Sequence, residues 1–344
     1  MNSRFLKPVM LSIALILTSF FFSSSIIKEN GLFKPGQVWN DIEGIPVNAH
    51  GGGILYDKGT YYWFGEIKKG KTWRVEYITS WECYRTNAGG VSCYSSKDLY
   101  HWKNEGVALA PNATDSASDI HSSKVIERPK VIYNEKTKKY VMWVHIDSED
   151  YSFARAGVAT SDKPHGPYTY MGSFKPNGQM SRDQTLFKDT DGKAYQFCSS
   201  ENNATMYVNE LTDDYLKPSG KFKRIFIGLS REAPAVVKHN QKYYVLSSGC
   251  TGWDPNPAAV AVSSSIMGDY QLLGNPCLGK DGDKTYFAQS TYILPVAGKE
   301  NSYIALFDRW NKTNLEDSRY IWLPMRFEKE KMIIDWKDEW SLEK

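Results

Sequence analysis

The segment Glu127-Arg128-Pro129-Lys130-Val131-Ile132-Tyr133, followed after residues 134–138 by Tyr140-Val141-Met142-Trp143, decides the fold. It reads as a polar cluster, a short apolar strand, a polar turn and a second strand opening near a Tyr. The unit recurs four more times. Asn48-Ala49-His50 leads through Gly53-Ile54-Leu55 to Tyr61-Tyr62-Trp63-Phe64-Gly65-Glu66, and Ser181-Arg182-Asp183 through Thr185-Leu186-Phe187 to Tyr195-Gln196-Phe197. Glu232-Ala233-Pro234 leads through Ala235-Val236-Val237 to Tyr243-Tyr244-Val245-Leu246, and Ala288-Gln289-Ser290 through Tyr292-Ile293-Leu294 to Tyr303-Ile304-Ala305-Leu306. A further strand closes each unit, as in Gly157-Val158-Ala159-Thr160-Ser161 and Ala259-Val260-Ala261-Val262-Ser263. Units of about four strands are the size of propeller blades, and radial repetition protects the edges of an antiparallel protein. The expectation is an all-β chain, with residues 26–344 forming a single five-bladed β-propeller. A β-sandwich is the competing reading, but it gives no reason for a polar cluster at the same point of every unit.

Ahead of the first unit, Met1-Asn2-Ser3-Arg4-Phe5-Leu6-Lys7 and a short apolar run ending near Phe22 are followed by Ser23-Ser24-Ser25. A basic start, an apolar stretch too short for a comfortable membrane span and small residues after it read as a secretory signal over residues 1–25. The mature protein is therefore expected in the periplasm or outside the cell, with no membrane contact beyond the export signal. The charge of +3 comes from 42 basic and 39 acidic residues spread along the chain, which argues against nucleic acid as a partner. Cys83, Cys93, Cys198, Cys250 and Cys277 have no metal-site spacing. Cys83 and Cys93 flank a Gly-containing loop and could pair, but buried free thiols are the preferred reading.

His50, Glu127, Asp183, Glu232 and Gln289 each precede the first strand of their unit. In a propeller those strand starts converge on one end of the central channel, so five polar side chains should share one pocket. Three carboxylates in one pocket cannot all keep ordinary pKa values, because like charge and burial raise at least one of them. That supplies a general acid, and glycoside hydrolysis needs such an acid beside a second group that activates water or attacks directly. Among Trp63, Trp143, Tyr151, Trp253 and Trp310, the two in polar loops, Tyr151 and Trp253, are the candidates for stacking on a sugar face. No phosphate-binding loop is expected, and neither a Gly-x-Ser-x-Gly turn nor a His-Glu-x-x-His pair occurs. No cofactor is required, although a structural Ca²⁺ in the channel is compatible with the sequence.

The same residues carry a family resemblance. Asn-Ala-His-Gly-Gly-Gly-Ile-Leu, Tyr-Tyr-Trp-Phe-Gly-Glu, Val-Ile-Glu-Arg-Pro-Lys-Val-Ile-Tyr-Asn, Ser-Arg-Asp-Gln-Thr-Leu-Phe, Glu-Ala-Pro-Ala-Val-Val-Lys-His-Asn and Ser-Arg-Tyr-Ile-Trp, in this order over residues 38–340, resemble the exo-β-1,3-galactanase branch of glycoside hydrolase family 43. The resemblance implies a five-bladed propeller and an inverting exo-glycosidase that hydrolyses terminal β-galactosyl linkages, in galactan, arabinogalactan or a derived oligosaccharide. It implies Glu232 as general acid, Asp183 as the carboxylate that tunes and orients it, and Glu127 as a further essential pocket acid. Gln289 matches a residue assigned there as base, while His50 stands where most of the wider family has an Asp. Glu66, Tyr151, Asn202 and Thr251 resemble sugar contacts of the branch. An amide is a very weak base, so the residues themselves allow another assignment, in which Glu127 takes the proton and Gln289 positions the water.

One departure from the branch is the longer segment 67–90, with Lys68, Trp73, Trp81 and Arg85, which reads either as part of the pocket rim or as an exposed loop. Two further readings stay open. One is an α-L-arabinofuranosidase or β-xylosidase specificity within the family, and the other is a non-catalytic sugar-binding propeller. The substrate is expected to be a polysaccharide or oligosaccharide and the protein a monomer.

Overall fold

Each repeat unit folds into one antiparallel sheet, its first strand facing the centre of a ring. The computed structural model describes Met1 and residues 31–342, so the export segment expected over residues 1–25 lies outside the described residues apart from Met1. Blade 1 consists of His50–Asp57, Thr60–Glu66, Val91–Ser96 and Lys103–Leu109. Blade 2 runs through Val125–Asn134, Lys139–Asp147, Arg155–Ser161 and Thr169–Phe174, and blade 3 through Gln184–Lys188, Ala194–Ser200, Thr205–Leu211 and Pro218–Ile225. Arg231–His239, Lys242–Gly249, Ala259–Ser263 and Gln271–Gly274 build blade 4. Blade 5 consists of Gln289–Pro295, Tyr303–Arg309, Arg319–Glu328 and Lys331–Asp335, with Cys277–Leu278 added in parallel at its outer edge. Each first strand touches the first strand of the next blade, and the fifth touches the first, which closes the five-bladed β-propeller.

All five blades are contiguous in sequence, so the seam between blades 5 and 1 has no shared sheet to hold it. Side chains close it instead. Phe33 and Trp340 exchange backbone hydrogen bonds of 2.8 and 3.1 Å and stack at 4.3 Å. Trp63, Trp102 and Trp322 bury their rings beside them. The Tyr320 hydroxyl accepts from the Ala49 amide at 2.8 Å and donates to the Val47 carbonyl at 3.0 Å. Trp63 and Trp143 are therefore core residues that fill space between sheets. All five cysteines are free, and all but Cys250 are buried.

The inner strands share a local irregularity at the end where the polar residues lie. Register shifts occur between His50 and Gly53, Glu127 and Lys130, Glu232 and Ala235, and Ser290 and Tyr292. Four of the five polar residues thus belong to the strands they were expected to precede, and only Asp183 stands just ahead of one. In three blades the residue after the polar one is left-handed: Gly51 at φ 59°, Arg128 at 53° and Ala233 at 54°. Such bulges bend a strand and re-aim a side chain. The carbonyl each bulge turns out is capped from the next inner strand. Gly51 O accepts from Lys130 Nζ at 2.9 Å, Arg128 O from Gln184 Nε2 at 2.8 Å, and Ala233 O from Ser290 Oγ at 2.6 Å.

A left-handed conformation costs a non-glycine residue roughly 1–2 kcal/mol, and a β-branched side chain makes it worse. Ala233→Val should therefore lower stability by about 2 kcal/mol or more and misdirect Glu232, whereas Ala233→Gly should stay within about 1 kcal/mol of the parent. Denaturant midpoints read against turnover would check this, and equal behaviour of the two variants would contradict it.

Candidate active site

At the bulged end of the ring lies a cavity of about 740 Å³, lined by Glu66, Glu127, Asp183, Glu232, Gln289 and Asp308 among others. Its floor is solid. Lys130 is only 2% exposed, and a Cβ at position 53 would stand 2.6 Å from its Cδ, so Gly53 is what admits it to the channel. Burial, assisted by the Arg128 charge, brings the Lys130 ammonium down to about 7. The site is thus a pocket with a wall of acids and few cations to balance them.

Two cations divide the acids into groups. Lys68 Nζ lies 2.8 Å from Glu66 Oε2 and 2.8 Å from Glu127 Oε1. Arg128 Nη2 lies 2.9 Å from Asp183 Oδ2 and also donates to Gln289 Oε1, while Nη1 reaches Ser290 O at 3.0 Å. Glu127 takes a second donor on Oε1 from Tyr151 OH at 3.1 Å, and His145 Nδ1 stands 3.7 Å from its Oε2. Burial alone would raise Glu127, but Lys68 and His145 overcome it and hold the carboxylate well below its ordinary range. Burial likewise opposes charge on His145, yet Asp147, at 2.9 Å, and Glu127 raise it to about 9.

Glu232 behaves in the opposite way. Burial first, and then the charge of Asp183, push it up to about 7. Its Oε1 accepts from Gln289 Nε2 at 2.9 Å, and its Oε2 from Asn203 Nδ2 at 3.3 Å. Glu66 is also raised to about 7 by burial, against the pull of Lys68. The pocket therefore holds protonated and ionised carboxyl groups side by side near neutral pH.

The orientation of Gln289 follows from its partners. Arg128 and the Trp310 indole, 3.1 Å from Oε1, can only donate, so the amide oxygen must face them and the amide nitrogen must face Glu232. An amide oxygen that already accepts from a guanidinium and an indole has little capacity left for a proton.

All four residues expected to act in chemistry, Glu232, Gln289, Glu127 and Asp183, line this cavity, as do Glu66, Tyr151 and Trp253. Three expected sugar contacts do not. His50 is buried at 1%, its ring stacked on Tyr320 at 4.8 Å, because the bulge at Gly51 turns it into the seam between blades 5 and 1. Asp308, on the second strand of blade 5, reaches the cavity there and accepts from the Gly51 amide at 2.5 Å. Asn202 is exposed and its neighbour Asn203 lines the pocket, since residues 201–203 all take positive φ and no strand alternation applies. Thr251 is exposed and braces its loop, donating to Asp254 O at 2.6 Å and accepting from Asn256 Nδ2 at 2.8 Å.

Arg128, His145 and Asp308 were not singled out as site residues, although Arg128 and His145 lie on the same blade as Glu127; Trp310 was set aside among the aromatics, and Lys68 entered only with segment 67–90. Segment 67–90 proves to be rim: Ile78, Ser80, Trp81 and Tyr84 line the cavity. It also overlaps a spacing that corrects the expectation of no phosphate-binding loop. Gly65 to Thr72 matches a nucleotide-phosphate loop, Gly-x-x-x-x-Gly-Lys-Thr. The strand Trp73–Arg74 follows instead of a helix, and Thr72 Oγ1 accepts from the Leu315 amide at 2.9 Å, so the context that chemistry requires is missing.

Because the Asp183 charge helps to hold Glu232 up, Asp183→Asn should lower the Glu232 titration midpoint from about 7 by about one unit or more. Carbon-13 NMR of the labelled carboxyl across pH 4–9 would show it; an unmoved or raised midpoint would contradict the electrostatic account.

The fold recurs in known proteins. A family 43 β-1,3-galactosidase solved with galactodeoxynojirimycin superposes with a TM-score of 0.83 at 41% identity, covering 90% of this chain and 100% of that one. An exo-β-1,3-galactanase of Phanerochaete chrysosporium solved with β-1,3-galactotriose gives 0.80 at 36% identity, covering 90% of this chain and 68% of that one. Curated relatives are more distant: a xylan 1,3-β-xylosidase of Vibrio sp. at 24% identity over 53% of this chain, and a non-reducing end α-L-arabinofuranosidase of Bacteroides ovatus at 25% over 61%. The chain spans 36% and 42% of the length of those two relatives. The model of the glycosyl hydrolases family 43 matches residues 48–292, from the first blade into the fifth, and the chain belongs to that family.

Proposed function

We propose that this protein is an inverting exo-glycosidase that removes terminal β-linked galactose from a β-1,3-galactan or a related oligosaccharide. The observation that carries the reading is the convergence of Glu232, raised to about 7 by burial and the adjacent Asp183 charge, with Glu127 and Asp183 on one cavity, together with structural neighbours that act on β-1,3-galactosides. The xylosidase and arabinofuranosidase relatives are only 24% and 25% identical and carry less weight. The galactan-degrading role and export from the cell rest on the neighbours and on the sequence of residues 1–25 respectively.

In this mechanism Glu232 donates its proton to the glycosidic oxygen as the bond to C1 breaks. Asp183 keeps that proton available near neutral pH, and Arg128 restrains Asp183. A water attacks C1 from the opposite face and loses a proton to Glu127, which Lys68 and His145 keep ionised. Glu127 then returns a proton to solvent and Glu232 regains one. Gln289 acts on the acid: it donates to Glu232 and is itself fixed by Arg128 and Trp310. No cofactor enters any step.

Product analysis tests the reaction class. On β-1,3-galactobiose the first galactose released should be the α anomer, seen by proton NMR before mutarotation. Glu232→Gln should reduce that turnover by a factor of about 10³ or more and an activated aryl galactoside far less, since its leaving group needs little proton assistance. The β anomer as first product would refute inversion, and equal losses on both substrates would remove Glu232 from the acid role.

The base is tested separately. Glu127→Gln should nearly abolish turnover of the aryl galactoside, with azide restoring part of it as the α-galactosyl azide. Gln289→Ala should keep measurable activity on that substrate. The reverse pattern, with Gln289→Ala inert and Glu127→Gln active, would assign the water's proton to Gln289.

A further inference from the structure

Segment 67–90 is an arch with footings on several blades. At its base Gly70 N donates to Glu316 Oε2 at 3.0 Å and Leu315 N to Thr72 Oγ1 at 2.9 Å, tying it to blade 5. On the other side Arg85 Nη2 donates to Ser123 O at 2.6 Å and Lys124 O at 2.9 Å, tying it to the connection before blade 2. A short ladder between Trp73–Arg74 and Tyr84–Arg85 holds the arms together over buried Val75 and Cys83. At the tip, Trp253 Nε1 donates to Glu82 O at 2.6 Å, and the Glu82 carboxylate pairs with Lys312. Trp81 meets Tyr151 edge-on at 5.5 Å. The tip is therefore latched to the loop of blade 4 and to blade 5.

The position of that latch has a chemical meaning. A general acid must stand beside the leaving oxygen, so the departing part of the substrate lies on the side of Glu232. Trp253 belongs to the loop that follows the second strand of the same blade. Thus the arch grips the blade 4 loop next to where the leaving group must sit, and it brings the aromatic side chain of Trp81 to the cavity.

Building on the galactosidase reading, we propose that the latched arch forms the wall of the leaving-group position, making a sugar acceptor the preferred partner of the cleaved bond. The terminal galactose is held by the channel residues; the base of the arch supplies Lys68 to Glu127, and its latched tip contributes to the residue beyond the scissile bond. Glu82 and Lys312 do not line the catalytic cavity, and their side chains are 46% and 38% exposed, so exchanging them leaves the core and the chemistry intact.

The test is a charge swap read on two substrates. β-Galactosyl fluoride has no acceptor sugar and needs little acid assistance, whereas β-1,3-galactobiose has both requirements. Lys312→Glu and Glu82→Lys should each raise KM for galactobiose by about fivefold, near the limit expected of an exposed ion pair. The double exchange should bring KM back to within about twofold of the parent, and kcat/KM for the fluoride should stay within about twofold throughout. Unchanged galactobiose KM, equal changes on both substrates, or failure of the double exchange to rescue would each overturn the proposal. Absence of turnover of both substrates by the unaltered enzyme would overturn instead the galactoside reading on which it rests.

Discussion

The guanidinium of Arg128 is the constraint on which the site depends. It is 5% exposed, sits at a left-handed position and joins three blades through Asp183, Gln289 and the Ser290 carbonyl. Seven carboxyl residues line the same cavity, and a buried charge without a partner is far costlier than a paired one; breaking such a pair typically costs about 3–5 kcal/mol. Arginine suits the position because its fork can serve several acceptors at once and stays charged. Arg128 fixes Asp183, at 2.9 Å, beside Glu232, and burial and then the Asp183 charge raise Glu232. The acid's protonation is thus set by burial and the Asp183 charge, against the opposing charge of Arg128.

That arrangement needs rigid placement, and the bulge caps supply it. Each left-handed residue turns a carbonyl away from its own ladder, and the next inner strand meets that carbonyl with Lys130, Gln184 or Ser290. An uncapped buried carbonyl would cost about 1–3 kcal/mol, so the cap and the bulge stabilise one another. The hydrogen bonds that fix the site are consequently the ones that fasten neighbouring blades, and the strain at Arg128 and Ala233 is held by the ring as a whole.

The fold was legible because every blade repeats one pattern of polar cluster, strand, turn and strand, with strand positions found within a few residues. The seam was less so: Phe33 and Trp340 are 307 positions apart and nothing local marks them as partners. Within the site, the residues that hold Glu127 and Glu232 in place were legible in part. Glu127, Asp183, Glu232 and Gln289 share a register, and register is visible in sequence. His145 and Asp308 come from second strands, Trp310 from just beyond one and Lys68 from the arch, where no repeat points to them. His50 illustrates the limit. Its register predicts the pocket, but a bulge beside three consecutive glycines turns the side chain into the seam, and Asp308 arrives from another blade in its place. Asn202 fails for a related reason, because three successive positive φ values erase the alternation that would say which Asn points inward.

A ring of five similar blades offers five similar positions, yet glycoside hydrolysis needs an acid and a base that differ. The fold alone cannot create that difference. Glu127 and Glu232 occupy the same place in their blades and are both half-buried in the cavity wall, so desolvation pushes both in the same direction. Their neighbours separate them: Lys68 and His145 override burial at Glu127, whereas at Glu232 the adjacent charge is the negative one of Asp183. Lys68 arrives just after the last residue of the Thr60–Glu66 strand, where the chain leaves the blade pattern and enters the arch. The segment that departs most from the repeat therefore contributes both the cation that distinguishes the two carboxylates and the wall beside the leaving group. Asymmetry of chemistry in this propeller comes from what was added to the blades.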